Sequence, residues 1–297
     1  MSTPKSPRLA ELPSLIWQFT KSDFSTFVLP NTGFGLLATF SAPSLTDCTD
    51  GIAVWALLLR GLPCMLIFNW GNLLVFDLAN QRLPESIRED SMNKPWRPLP
   101  SGRISPIVTR HFLLGVVPAV LAVSYALGVG NESALILILT WMYNDLGGGD
   151  ELTRDPIIAA GYCLFLVSSL RIAITPRFHL SQCGYCWLAM IGGMVLTTMH
   201  IQDLKDQTGD RERGRKTWPL VLGDKVSRRW LTGAILFWSL ACVTFWNTPP
   251  WVSLVPICMG IGIGIIVMRG TDDARAWKLW CIWQVVLYAL PSLSQWL

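Results

Sequence analysis

Charged residues are scarce in this chain. They make up 15% of the 297 positions, against about 25% in an ordinary soluble domain. The opening stretch, residues 1–23, has mixed charge but no apolar h-region, so no cleaved signal peptide is expected and the first membrane span would serve as the signal. Eight cysteines are scattered, with Cys64, Cys163, Cys242, Cys258 and Cys281 inside apolar runs, and imply no disulfide framework. Walker, zinc-ligand and nucleophile-elbow patterns are missing. The net charge of +4 is modest and lies largely on one side of the expected topology, which argues against nucleic acid as a partner. What is plentiful is apolar: 51% of residues are hydrophobic and 15 are tryptophan. The chain reads as an integral membrane protein.

A bilayer span needs roughly 20 apolar residues, fewer where helices pack tightly. Candidate runs cover 24–45, 52–76, 107–130, 133–144, 156–170, 182–201, 230–268 and 276–297. The seventh is too long for one span and divides at Asn247-Thr248-Pro249-Pro250. The expected fold is therefore an all-α bundle of nine transmembrane helices, with a kink at Gly61-Leu62-Pro63. Loops after even-numbered helices hold most of the cations, including Arg82, Arg88, Lys94, Arg97, Arg103, Arg154, Lys205, Arg211 and Arg215. Loops after odd-numbered helices hold little beyond Arg171, Arg177, Asp47, Asp50 and Glu132. By the positive-inside rule the first set, and the N-terminus, face the cytoplasm.

Several weaker signals carry little. Cys183-Gly184-Tyr185-Cys186 has redox spacing but opens an apolar helix. Gly260, Gly262 and Gly264 follow no strand and suit close helix packing rather than nucleotide binding. The sequon Asn131-Glu132-Ser133 abuts the membrane on the lumenal side and is expected to be unused.

Two polar stretches close apolar runs on the cytoplasmic side. In the later one, Asp203, Asp206 and Asp210 fall within a ~60° arc of one helical face. Three carboxylates so close repel one another unless a cation sits between them, and hard oxygen ligands suit Mg²⁺. The plainer reading is a solvated helix end paired with Lys205, Arg211 and Arg213. In the earlier stretch Asp77 and Gln81 are four apart on one face, with Asn80 beside them. Glu85, Glu89 and Asp90 follow, then the proline-stiffened basic run from Lys94 through Arg97 to Arg103. Such cations suit a diphosphate, or else anionic lipid headgroups. Together the two stretches meet the needs of a prenyl diphosphate, whose head wants a polar Mg²⁺ site and whose tail wants a lipid-like cavity. Aromatic faces can stabilise the allylic cation left by ionisation.

The pattern Asp203-x-x-Asp206-x-x-Gly209-Asp210-x-x-x-Gly214-x-x-Thr217-x-Pro219 resembles the second aspartate-rich motif of the UbiA superfamily of intramembrane prenyltransferases. Arg97-Pro98-Leu99-Pro100-Ser101-Gly102, followed by Ile104-Ser105, resembles the segment after that family's first motif. The first motif itself departs from the family form: Asp77 fits its central aspartate, Gln81 stands where the last aspartate is expected, and Asn72 lies one residue early. Phe76-Asp77, Asn80-Gln81 and Asn93-Lys94-Pro95-Trp96-Arg97-Pro98 are similar to a fungal branch containing UbiA-type terpene cyclases, as are Tyr143-Asn144-Asp145 and the glycine-rich loop after it.

The resemblance implies one domain over residues 24–297 around a central cavity, with its active site at the cytoplasmic end and its home in the endoplasmic reticulum membrane. It implies a Mg²⁺-dependent class I cyclase acting on farnesyl or geranylgeranyl diphosphate. Asp203, Asp206 and Asp210 would bind metal, with Asp77, Asn80 and Gln81 opposite. Asn72, Lys94, Arg97, Arg103 and Lys205 would hold substrate, Lys205 less well because it turns away from the carboxylate arc. Asp145 or Asp150 would cap the cavity or take the final proton. The alternatives are a prenyltransferase with an aromatic or other acceptor, and a transporter. The second is disfavoured because the acidic motifs lie at helix ends rather than near the midplane.

Overall fold

Backbone crossing a bilayer must satisfy its own hydrogen bonds, so long uncharged runs become helices. The structure, a computed structural model, describes residues 8–48, 53–174 and 178–295. Within them every principal element is helical. Five helical stretches are long and apolar enough to cross a membrane: Val54–Gln81, Pro106–Ala126, Arg154–Ile174, Gln182–Arg213 and Pro250–Arg269. Asp224–Phe245, Asp273–Gln295 and the shorter Gly130–Asn144 complete the bundle with the broken first run. The outer surface is apolar, with Leu59, Ile107, Leu114 and Trp251 all well exposed, as a lipid-facing wall requires.

The helices depart from the expected runs in instructive ways. The first is not one rod: a π-turn, Phe24–Val28, leads into Leu29–Thr39 and then a separate turn, Ala42–Leu45. It continues an N-terminal helix, Leu12–Asp23, whose Leu15 and Phe19 are buried. The kink expected at Gly61-Leu62-Pro63 is a second π-turn, Leu57–Gly61, in which the Leu62 amide reaches back to the Leu57 carbonyl. Such a bulge accommodates the amide that Pro63 lacks. The two long polar stretches hold helices as well, Pro84–Asn93 and Asp203–Arg213. They meet at Gly209, where an added Cβ would lie 2.2 Å from the Asn93 amide nitrogen.

Small and polar residues join the bundle, as they must where lipid offers no hydrophobic drive between helices. The buried Asn69 amide donates to Thr32 Oγ1 (3.0 Å) and Ser169 Oγ (3.1 Å), tying three helices together. Ser133 donates to Asn72 Oδ1 at 2.8 Å and is fully buried, so the sequon's hydroxyl is committed inside the protein. Of the three glycines expected to serve packing, Gly260 faces Ser239 and Gly264 faces Thr232, whereas Gly262 has no neighbour within 4 Å of an added Cβ. Gly35 sits in a close helix crossing: its Cβ would fall 2.4 Å from Met65 Sδ and 2.9 Å from the Ser169 carbonyl oxygen. The thioether can swing away but the carbonyl cannot. Gly35→Val is therefore expected to cost about 1–3 kcal/mol, read as a lower melting temperature in detergent, with the same substitution at Gly262 nearly neutral.

Candidate active site

Several helix ends converge on one cavity. Leu62–Gln81 brings Leu73, Phe76, Asp77 and Asn80 to it from its last turns; Gly130–Asn144 brings Ile136, Thr140 and Tyr143. Arg154–Ile174 starts at the mouth with Arg154 and runs inward to Phe165. A 3₁₀ turn, Met199–Gln202, breaks the long helix just before the acidic motif and re-aims it, so that Asp203, Asp206 and Asp210 all face the cavity. The expected arc is thus a shared lining. The depths are aromatic: Phe27 meets Tyr162 edge-on at 4.9 Å and Phe165 at 4.6 Å.

The mouth holds alternating charge. Arg154 Nη1 donates to both Asp203 oxygens (2.7 and 2.6 Å), and its Nε donates to the Tyr143 hydroxyl oxygen at 3.1 Å. Arg215 Nη1 joins Asp210 Oδ1 (3.0 Å) to Glu89 Oε1 (2.9 Å), linking Asp203–Arg213 to Pro84–Asn93. Arg97 turns inward, giving Nη1 to both Asp90 oxygens at 2.9 Å and Nη2 to Asp23 Oδ2 at 3.2 Å. Burial works against that guanidinium's charge, but Asp90 and then Asp23 outweigh it and raise its pKa. Lys94 differs. Its ammonium lines the cavity with no hydrogen bond or ion pair among the described residues, and burial, then the Arg97 cation, draws its pKa below the ordinary lysine value.

Two buried carboxylate oxygens in this lining lack any hydrogen-bond partner, Asp77 Oδ2 and Asp210 Oδ2. An unsatisfied buried anionic oxygen is costly, and a divalent cation is the partner such a donor set fits. Among the described residues no three His, Cys, Asp or Glu side chains are already gathered as a metal cage. The arginines hold Asp203 and one side of Asp210 instead.

The other expected site residues separate into two groups. Asn80 lines the cavity and donates to Asn144 Oδ1 at 2.9 Å. Lys205 pairs with Asp206, its flexible stem overcoming the turn of the helix, and both line an adjoining cavity with Asp23 and Lys94. Outside the lining lie Gln81, buried and donating to the Phe19 carbonyl (2.9 Å), and Asn72, which holds Ser133. Arg103 is exposed, as is Asp145, which pairs with Arg82. Asp150 ties Arg213 (2.6 Å) to Arg215 (3.3 Å). Asp23, Arg154, Tyr143 and Arg215 are lining residues to which sequence reasoning gave no place in the metal or diphosphate site. Their signal was weak: each is an isolated polar residue at a helix end, legible only once its partner is known.

The sequence pattern of the UbiA prenyltransferase family matches residues 29–287. Fumagillin beta-trans-bergamotene synthase af520 of Aspergillus fumigatus is 30% identical over 262 residues, 83% of this chain and 79% of that protein. Somaliensene A/B synthase of Streptomyces somaliensis is 28% identical over 286 residues, 92% and 90% of the two chains. Polyprenyl transferase eriF of Hericium erinaceus is 31% identical over 236 residues, 76% and 74%. Among solved structures, a UbiA homolog from Archaeoglobus fulgidus bound to GPP and Mg²⁺ superposes with a TM-score of 0.60 at 13% identity, over 93% of this chain and 99% of that one. The chain belongs to the UbiA prenyltransferase family.

Proposed function

We propose that this protein is a Mg²⁺-dependent terpene cyclase that ionises a linear prenyl diphosphate, farnesyl or geranylgeranyl, and folds the resulting cation into a ring. One observation carries the reading: carboxylates and cations gather at one end of a cavity whose other end is aromatic and apolar. The similarity to two terpene synthases, and a relative with bound GPP and Mg²⁺, supports it. Bound Mg²⁺ would draw charge from the diphosphate and make it a better leaving group.

Asp77, Asp206 and Asp210 are the residues to hold that metal, with Asp203 fixed beside them by Arg154. Asn80 adds a neutral oxygen on the Asp77 side. Lys94 is the unpaired cation for diphosphate oxygens, while Arg97 and Arg215 are anchored to carboxylates and set the shape of the mouth. When the carbon–oxygen bond breaks, its electron pair leaves with the diphosphate. The cation then lies among Phe76, Tyr162, Phe27 and Phe165, whose ring faces stabilise positive charge and exclude water. Ring closure follows when a chain double bond attacks the cation, and loss of a proton ends the sequence. Asp23, a carboxylate of the lining, and the departing diphosphate are available as acceptors. The chain is read as one transmembrane unit over 24–297, in the endoplasmic reticulum membrane, with its mouth and residues 1–23 toward the cytoplasm.

Diphosphate release from farnesyl or geranylgeranyl diphosphate, without an acceptor, tests the site. Release should require Mg²⁺ and fall by more than 100-fold in Asp206→Ala, with the melting temperature little changed because Asp206 is partly exposed and its one ion pair is with the adjacent Lys205. Normal turnover in that variant would remove Asp206 from the site. Lys94 gives a pH signature. Its lowered pKa means that the charged form, and with it diphosphate binding, is lost as pH rises through a value below the ordinary lysine range. KM should therefore climb on the alkaline side in the wild type and stay flat there in Lys94→Arg.

A further inference from the structure

The Arg154–Ile174 helix presents one continuous face to the cavity. Arg154, Ile157, Ile158, Gly161, Tyr162 and Phe165 all line it, at the three- and four-residue spacing of a single helical stripe. Polarity falls along this stripe from the Arg154 guanidinium at the mouth to Phe165, which is closed off by Phe27 and by buried Phe68, 5.9 Å away. At about 1.5 Å per residue, Gly161 stands roughly 10 Å inward of Arg154 and about 6 Å short of Phe165.

Every other position on the stripe carries a large side chain. Gly161 carries none, and a Cβ there would meet no heavy atom within 4 Å. Neither usual reason for glycine applies. Its backbone is ordinary α-helix without positive φ. No neighbouring helix presses on it as Ser169 presses on Gly35. A mid-helix glycine costs about 1 kcal/mol relative to alanine, so what it supplies in return is space.

We propose that Gly161 is a specificity-determining residue that sets how long a prenyl tail the cavity takes, by leaving open the passage from the polar mouth to the Phe165 end. This rests on the prenyl diphosphate reading above. A side chain at 161 would fill the passage at that depth. Shorter tails would end before it and longer ones would meet it.

The test measures dissociation constants for unreactive thiolodiphosphate analogues with ten-, fifteen- and twenty-carbon chains, with Mg²⁺, for the wild type, Gly161→Ala and Gly161→Leu. Alanine and leucine favour helix over glycine, so folding is retained, and unchanged affinity for inorganic diphosphate checks that the mouth is intact. Gly161→Leu should weaken the longest chain that the wild type holds by about 10-fold or more relative to the ten-carbon chain, with a smaller selective loss in Gly161→Ala. A loss equal for all three lengths, or no loss, overturns the role of Gly161. If the wild type binds no chain more tightly than inorganic diphosphate, the prenyl diphosphate reading itself fails, and the inference with it.

Discussion

Carboxylates buried at the edge of a membrane cannot stand alone, and the architecture of this protein answers that constraint. Desolvating an unpaired anion costs several kcal/mol, so most acidic residues drawn into the mouth bring a cation with them, Asp77 being the exception. Arg154 grips Asp203, Arg215 grips Asp210 and Glu89, and Arg97 grips Asp90 and Asp23. These pairs cross between elements distant in sequence. They join the N-terminal helix, the helices Pro84–Asn93 and Asp203–Arg213 and the first turn of Arg154–Ile174 into one rim. Bundle packing below the rim and electrostatics at the rim are therefore parts of one design.

The pairing also shapes the chemistry. With Asp203 and Asp210 already neutralised by arginine, the cavity does not present a bare anionic cage. It offers a mixed surface on which the unpartnered oxygens of Asp77 and Asp210 and the unpaired Lys94 point to a cation and an anion arriving together. A metal–diphosphate complex has that composition. The departure of Gln81 from the family's aspartate is consistent with this, since Gln81 is turned to the Phe19 carbonyl while Asp23 brings a carboxylate in from the N-terminal helix.

Much of this was legible in the sequence because periodicity and spacing encode it. The arc shared by Asp203, Asp206 and Asp210 needed only the helical repeat, and the apolar runs needed only the bilayer's thickness. Asp77 and Asn80 followed from the same logic. What stayed hidden depends on contacts between distant segments. Nothing near Arg154 in the chain announces that its partner is Asp203, and Asp23 looks like the end of a solvated helix until Arg97 is placed beside it. Arg103 and Asp145 show the converse: residues adjacent in sequence to the mouth can still face away from it. The π-turns at Phe24–Val28 and Leu57–Gly61 were likewise invisible beyond a proline's hint, because they are settled by the fit of neighbouring helices.

In the proposed reaction the cavity cyclises the cation it generates rather than delivering it to a second substrate. The direct measurement is to incubate purified protein with Mg²⁺ and farnesyl or geranylgeranyl diphosphate alone, then analyse the organic extract by gas chromatography and mass spectrometry. A cyclic terpene hydrocarbon that disappears with chelator is the predicted result. A prenylated product and diphosphate release appearing only when an aromatic acceptor is supplied would contradict the account.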